Sequence, residues 1–387
     1  MTTLLRLFLL FVIFSALRLH AGVPGGAFPE GRELHPGVVY RHVSDPRGPW
    51  EIHILEIDLT RPGLSLRGMR ARESFRGRET TTSMAARYPA GAGKVIAAIN
   101  ADFFSLETGE STNSQVVEGE FVKGIGGGRP LPRSQFGAGW NGHSFIGRTV
   151  YQGTVSFADG ACLLLGGVNI APDSGWVTMY NRWYGAVIPD SLRVRSLEHL
   201  HLSPAGVRGD TSFYTAARPA EGTPALVWRH ADRFLRLRSV SPAETLRVVE
   251  GLQPPMGRVR TLVGGAPRIV RDGESIAGKK EFMEGSTQEF SSKRHPRTGV
   301  GISRDGGRVW WFVVDGRQAA SVGMTLPEFA DLMIGAGATE GLNLDGGGST
   351  VMVVEGKIVN APSDAAGERP VANCLLLVAD PFPEEPR

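Results

Sequence analysis

Fifty-one glycines and 25 prolines interrupt this 387-residue chain so often that few long helices can form in it. Glycine costs a helix backbone entropy, and proline removes a donor and clashes with the preceding turn. Between these residues lie short apolar runs closed by turn residues, which is how strands read. Residues 52–59 alternate and end on Arg61-Pro62-Gly63, and 95–99, 150–157, 162–165, 176–180, 225–230, 246–250 and 261–263 continue the series. RVWWFVV (308–314), 341–344, a hairpin over 351–354 and 357–359, and 374–379 complete it.

Two segments read as helices. Residues 80–88 form a short one capped by Thr81 or Thr82, and 325–334 form the clearest one. In the second, Thr325 and Glu328 make a capping box, Pro327 sits in the first turn and Gly335 stops the helix. Leu326, Phe329, Leu332 and Met333 fall at helical spacing and should face the core. Many strands and few helices in irregular order predict an α+β fold, with strand-rich mixed sheets in a single catalytic domain over 38–381. At 41% hydrophobic and 21% charged residues the chain is not a disordered one.

The start reads as a targeting segment. Arg6 precedes an apolar run over 7–17 that is too short to span a bilayer, and Ala21-Gly22 offers a cleavage neighbourhood. A signal peptide over 1–21 is expected, with an uncleaved anchor as the alternative. A Gly/Pro-rich linker over 22–37 follows, and 382–387 form a tail. The protein is therefore expected to be exported, periplasmic or extracellular, with no stable membrane insertion after cleavage. Losing residues 1–21 removes Arg6 and Arg18 and lowers the formal charge from +3 to +1. Such a balance, without aromatic–basic interleaving, gives no reason to expect a nucleic-acid partner. Cys162 and Cys374 each lie in an apolar run, so they read as buried thiols on two strands or as a pair formed in an oxidising compartment.

Two stretches concentrate candidate chemistry. In Asn343-Leu344-Asp345-Gly346-Gly347-Gly348-Ser349-Thr350, three glycines follow a buried strand, which suits a tight turn approached by a ligand or another backbone. Asn100-Ala101-Asp102-Phe103-Phe104 also ends an apolar strand. Residues i and i+2 share a strand face, so Asn100 with Asp102, and Asn343 with Asp345, are each expected to present an amide beside a carboxylate. Such pairs suit sugar hydroxyls, acid/base work or a hard cation, and Ca²⁺ is an open alternative among cofactors. Asp315-Gly316-Arg317 follows RVWWFVV, and Arg294-His295-Pro296-Arg297-Thr298 precedes another strand; Arg297 and His295 could meet phosphate. Ser363-Asp364 and Glu368-Arg369 lie in a polar loop before the last strand. The bland reading of each is a turn or a solvated surface. Gly124–Gly128 lacks the context of a dinucleotide or phosphate loop, and His199 and His201 lack a third ligand.

The order of INADFF (99–104), RTGVGISRDGG (297–307), VVDGRQAASVGMTLPEFADLM (313–333), GLNLDGGGSTVMV (341–353) and ERPVANCLLLV (368–378) resembles the phosphodiester glycosidase family. The resemblance implies a hydrolase acting on a saccharide-phosphate substrate, an N-acetylglucosamine-1-phosphodiester or a relative, at the anomeric carbon. It implies Asp345 and Asp102 as catalytic carboxylates, with Arg317 and Arg297 clamping phosphate. Asn100, Asn343, Thr298, Asp315, Gly346, Gly347, Gly348, Ser349 and Arg369 would line or position the substrate, Asp315 alternatively orienting Arg317. Residues 182–258 match no motif and are expected to set specificity. Two rivals stand beside this reading: a metal-dependent phosphodiesterase cleaving at phosphorus, and a non-catalytic glycan-binding protein.

Overall fold

A computed structural model describes residues 28–126, 132–172, 175–185, 197–218 and 223–380. Among them the strands form sheets of eight, twelve and five. In the eight-stranded sheet Trp50–Asp58, Arg308–Val314, Arg297–Ile302 and Glu340–Asn343 lie side by side. After the exposed Arg308, the run RVWWFVV is apolar because both its faces are covered. Val309, Trp311 and Val313 pack toward the five-stranded sheet, sharing a core with Ile96, Ile99, Leu375 and Leu377. Trp310, Phe312 and Val314 pack on the other side against the helix Leu326–Gly335, through Leu326, Phe329, Leu332 and Met333. That helix carries the expected capping box: Thr325 accepts from the Glu328 amide, and Glu328 accepts from the Thr325 amide. Such a cap contributes about 1 kcal/mol.

The five-stranded sheet sets Lys94–Asn100 between Met352–Val354 and Asn373–Ala379. Two sheets thus bring the ends of Lys94–Asn100 and Glu340–Asn343 and the start of Arg297–Ile302 to one place. The twelve-stranded sheet contains a closed ring of seven strands. In order they are Val150–Ser156, Thr245–Gln253, Thr211–Ala216, Leu197–Arg208, Ala225–Arg229, Val177–Tyr180 and Cys162–Val168, which pairs back to the first. The strand-rich α+β architecture expected from glycine and proline usage is what the chain adopts.

Several local expectations change. Ordered structure begins before the expected start at Val38, because Arg32–His35 pairs with Val38–Asp45; main-chain pairing makes an edge strand from a segment with little apolar signal. Thr80, not Thr81 or Thr82, caps the helix Thr81–Ala86 by accepting from the Ser83 amide. Gly335 lies inside the last turn of its helix and the chain leaves at Ala336. The polar stretch 274–296 carries the short helix Gln288–Ser292. Cys162 is exposed in the twelve-stranded sheet, Cys374 is buried in the five-stranded one, and both are free. His201 is buried, while His199 on the same strand is exposed. The expected signal peptide and its cleavage site, and the tail, lie outside the described residues. No helix among the described residues is long and apolar enough to cross a membrane.

Candidate active site

The motifs separated in sequence are tied together by main-chain groups of Asp345. Its N–H donates to the Ala101 carbonyl at 2.9 Å, and its C=O accepts from Asn100 Nδ2 at 2.6 Å. Asn100 Oδ1 accepts from Thr298 Oγ1 at 2.8 Å and from the Val351 amide at 3.1 Å. The Leu344 amide donates to the Thr298 carbonyl and the Gly347 amide to the Pro296 carbonyl, at 2.8 and 2.9 Å. Two chain segments, Asn100–Ala101 and Pro296–Thr298, therefore hold the Asp345-Gly346-Gly347-Gly348 turn. Asn100 and Thr298 are fully buried and spend their polar atoms on this task. They position the turn and do not reach a substrate, which corrects the expectation that they bind it.

The Asp345 carboxyl keeps some contact with solvent but sits in a crowded recess. Burial pushes its pKa up to about 7; the Ser349 hydroxyl and Arg369 act against that shift, and the charge of Asp102 adds to it. Ser349 Oγ is buried and lacks a hydrogen bond of ordinary geometry, so its effect comes from approach to the carboxyl. Asp102 lies deeper, 1% exposed. Its two oxygens accept from Asn113, at 3.2 Å from the amide and 3.0 Å from Nδ2, and its own amide donates to Asn373 Oδ1 at 2.8 Å. Burial raises it to about 6 against those hydrogen bonds. Asp102, expected as a catalytic carboxylate, is thus closed to solvent in this structure and held by Asn113 and Asn373, and its charge helps raise Asp345.

The arginines divide just as sharply. Arg297 is 1% exposed and donates to the carbonyls of Met324, Phe290 and Lys293 at 2.8, 2.9 and 3.0 Å. Its guanidinium lies 4.8 Å from the Phe290 ring, and burial lowers its pKa to about 9. It braces the segment before its strand and cannot clamp phosphate, contrary to expectation. Arg317 is exposed, holds a left-handed backbone (φ 62°), and makes no salt bridge among the described residues. Non-glycine residues adopt that conformation uncommonly, and it recurs at functional sites. Arg317 Nη2 is 3.4 Å from His295 Nδ1 and 3.0 Å from where a side chain on Gly347 would begin. His295 is half-buried, and its pKa is lowered by burial and then by Arg297, Arg317 and Lys293, with Glu289 opposing. On the other side of the turn Arg369 forks onto Asp364 at 2.7 and 3.0 Å. Any side chain at Gly348 would run into that pair, so only glycine lets it close over the turn.

Asp315 and Asn343 also depart from expectation. Asp315, 4% exposed, accepts from Asn360 Nδ2 and the Ala361 amide at 2.9 and 3.0 Å; it ties down a neighbouring loop and does not orient Arg317. Asn343 is fully buried and donates to the carbonyls of Ala266 and Leu344, leaving Oδ1 without a partner. The two Asn/Asp pairs thus present no set of converging oxygens. A calcium cage needs six to eight ligands, and these residues do not fit one. Among the described residues no three His, Cys, Asp or Glu side chains are grouped to hold a metal. Asn113, which with Asn373 fixes Asp102, carries no periodic or motif signal, while Asn373 falls within ERPVANCLLLV, whose pattern does not by itself reveal this contact. What the turn can offer a ligand is one recessed carboxyl, the backbone of Gly346 and Gly347, and the cations Arg317 and Arg369 with His295.

Comparison with known proteins agrees with the motifs. The family model described as phosphodiester glycosidase matches residues 205–378. The mouse and human N-acetylglucosamine-1-phosphodiester alpha-N-acetylglucosaminidases are 30% identical over 122 residues and 31% identical over 110. These alignments cover 30% and 27% of this chain and 23% and 21% of those enzymes. A prophage-derived Bacillus subtilis protein, YomE, is 39% identical over 84 residues, 22% of this chain and 13% of that one. The chain thus spans less than a quarter of the length of the curated relatives it matches. Among solved structures, a Synechocystis protein of unassigned function shares the fold with TM-score 0.66 at 19% identity, over 89% of this chain and 62% of the other. A Burkholderia pseudomallei protein, provisionally described as exported, does so with TM-score 0.61 at 23% identity, over 86% and 74%. Over residues 205–378 the chain matches the phosphodiester glycosidase family, the family its ordered motifs resemble.

Proposed function

We propose that this protein is an exported hydrolase that cuts the anomeric C–O bond of a sugar-1-phosphodiester, with N-acetylglucosamine as the leading candidate sugar. The observation that carries the reading is the meeting, at one glycine turn, of a recessed carboxyl and a guanidinium that has no ion-pair partner among the described residues. A glycosidase acting on an alcohol leaving group needs a strong general acid. A phosphate monoester, whose second pKa is about 6, leaves with far less help. The protein's task is then to hold the departing charge, which a planar guanidinium fork does well. Arg317 supplies that fork, and His295, its pKa lowered, stands beside it as a neutral hydrogen-bonding partner. Asp345 in its ionised form serves the sugar carbon, as nucleophile or as base toward water. Export is supported by the apolar stretch after Arg6 and by the Burkholderia neighbour.

Turnover in oxygen-18 water of a panel of sugar-1-phosphodiesters, beginning with α-N-acetylglucosamine, tests the reading. Free sugar carrying the label is the expected product. Label in the phosphate would mean cleavage at phosphorus and overturn it. Absence of turnover across the panel, with saccharide still bound, would favour a glycan-binding protein.

A further inference from the structure

The seven-stranded ring holds a second feature that owes nothing to the glycine turn. On Thr245–Gln253 alternate residues face one way. Leu246, Val248 and Leu252 are part of the barrel's apolar core, so Glu250, in the same register, also points inward. A lone carboxyl on an otherwise apolar inner face is expensive unless it is hydrogen-bonded or neutral. Here Tyr151 Oη donates to Glu250 Oε1 at 2.9 Å. The tyrosine reaches it across Gly153, the residue directly opposite Glu250, where any side chain would collide with the hydroxyl. The arrangement is thus built by three positions on two strands.

The barrel is not filled at this level. A cavity of about 910 Å³ is lined by Met179, Pro204, Ser212, Tyr214 and Glu250 among others, and reaches the turn between Leu197–Arg208 and Thr211–Ala216. Small barrels commonly hold one small ligand in such a space. The chemistry of the wall narrows what that ligand is. Of the acidic groups at the rim, Glu120 is paired with Arg182 at 2.6 Å, Glu118 with Arg67 and Arg260 at 2.7 and 3.1 Å, and Asp210 accepts from the Thr211 hydroxyl at 3.2 Å. Glu250 itself is pushed up to about 7 by burial, with Glu120 adding to the effect and the Tyr151 hydrogen bond opposing it. The cavity therefore offers hydroxyls, a carboxyl that holds its proton up to about pH 7 and aromatic and aliphatic walls; two of its rim acids are ion-paired, and Arg258 lies over the Trp140 ring at 5.8 Å.

We infer that the mouth of this barrel is a second binding site, for an uncharged polyhydroxyl chain such as a neutral oligosaccharide, anchored on Glu250 and Tyr214. Its apolar walls meet the C–H faces of a pyranose, and the polar groups meet its hydroxyls. The site is separate from the glycine turn, so its test does not depend on catalysis. Calorimetry and saturation-transfer NMR with chitotetraose, cellotetraose and maltotetraose provide the readout. Wild type and Asp345→Asn should bind at least one of them equally well. Ser212→Trp, which puts an indole into the cavity, should weaken that binding by about tenfold or more, the equivalent of one or two lost hydrogen bonds. Glu250→Gln keeps the size of the anchor and serves if the tryptophan variant fails to fold; it should weaken binding by about threefold or more through the altered Tyr151 contact. Binding of none of the three sugars would overturn the proposal. So would binding that Asp345→Asn abolishes and the cavity variants spare, or a preference for a phosphorylated sugar over the neutral ones.

Discussion

Asp345 and Glu250 are both carboxyls raised to about 7 by burial, in different parts of the molecule. One lies at a glycine turn where two sheets meet, beside Arg317, which makes no ion pair among the described residues. The other lies inside a barrel, steadied by a tyrosine hydroxyl, with Arg182 and Arg260 matched to acids and Arg258 lying over the Trp140 ring. A perturbed carboxyl by itself is therefore a poor mark of catalysis, since burial alone produces it. What separates the two is the uncommitted cation, which gives developing negative charge somewhere to go. The comparison breaks most directly through activity. Asp345→Asn should lower kcat by about 10³-fold, in the range expected for removing an acid or base. Glu250→Gln should lower it by less than about tenfold. Equal losses in a steady-state assay on a small substrate would erase the distinction.

Arg317 sharpens the same contrast. Arg317→Ala should lower kcat/KM by about 10²-fold, as removal of a preorganised donor does. Arg317→Lys should recover only part of this, because an ammonium lacks the planar fork. Arg369→Ala should cost less, about tenfold, since Arg369 Nε and Nη2 are already spent on Asp364. If Arg369→Ala proves the more damaging, the roles of the two arginines are exchanged.

Asn100 tests whether the turn is held as described. Asn100→Ala leaves the Asp345 carbonyl, the Thr298 hydroxyl and the Val351 amide without their partner. Orphaning buried polar groups costs about 2–4 kcal/mol in sum. Urea unfolding should show that loss, with activity falling alongside. A stability change below about 0.5 kcal/mol would mean the turn is held by other contacts.

These contacts also show where sequence reading stops. The strand RVWWFVV and the helix Leu326–Gly335 were legible because period and capping are local properties of the chain. The convergence of INADFF with the glycine turn was legible as resemblance alone. The shared-face argument for Asn100 and Asp102 failed for a physical reason. The strand ends at Asn100, and that amide is consumed by the main chain of a residue 245 positions away. Arg297 and Arg317 look alike in sequence; only the packing of Gln288–Ser292 and Met324 around one of them decides which guanidinium is spent on carbonyls. The barrel carries no short motif at all, because it closes through pairings between strands up to about a hundred residues apart, and such non-local contacts leave no periodic trace.

The smallest expected effect bears on both carboxyls at once and turns on the sign of their proton linkage. In the unfolded chain Asp345 and Glu250 titrate near the ordinary values of about 3.9 and 4.3. In the folded protein both hold their protons up to about 7. Below pH 4 the two states are protonated alike, so neither group affects stability. As pH rises from about 4 through 7 the unfolded chain releases protons that the folded chain keeps, and stability is lost over that window, with no further loss above it. Asparagine or glutamine does not titrate and removes the loss. Relative to wild type, Asp345→Asn and Glu250→Gln should each therefore gain about 1–2 kcal/mol between pH 4 and pH 8, allowing for the partial solvent contact of both groups. Denaturant unfolding at the two pH values measures it. A gain in both variants, with activity lost mainly in the first, would show that the two sites share their electrostatics and differ in their cation. Curves parallel to wild type for Asp345→Asn would show an ordinary carboxylate at the glycine turn, ionised throughout and suited to direct attack on the sugar carbon.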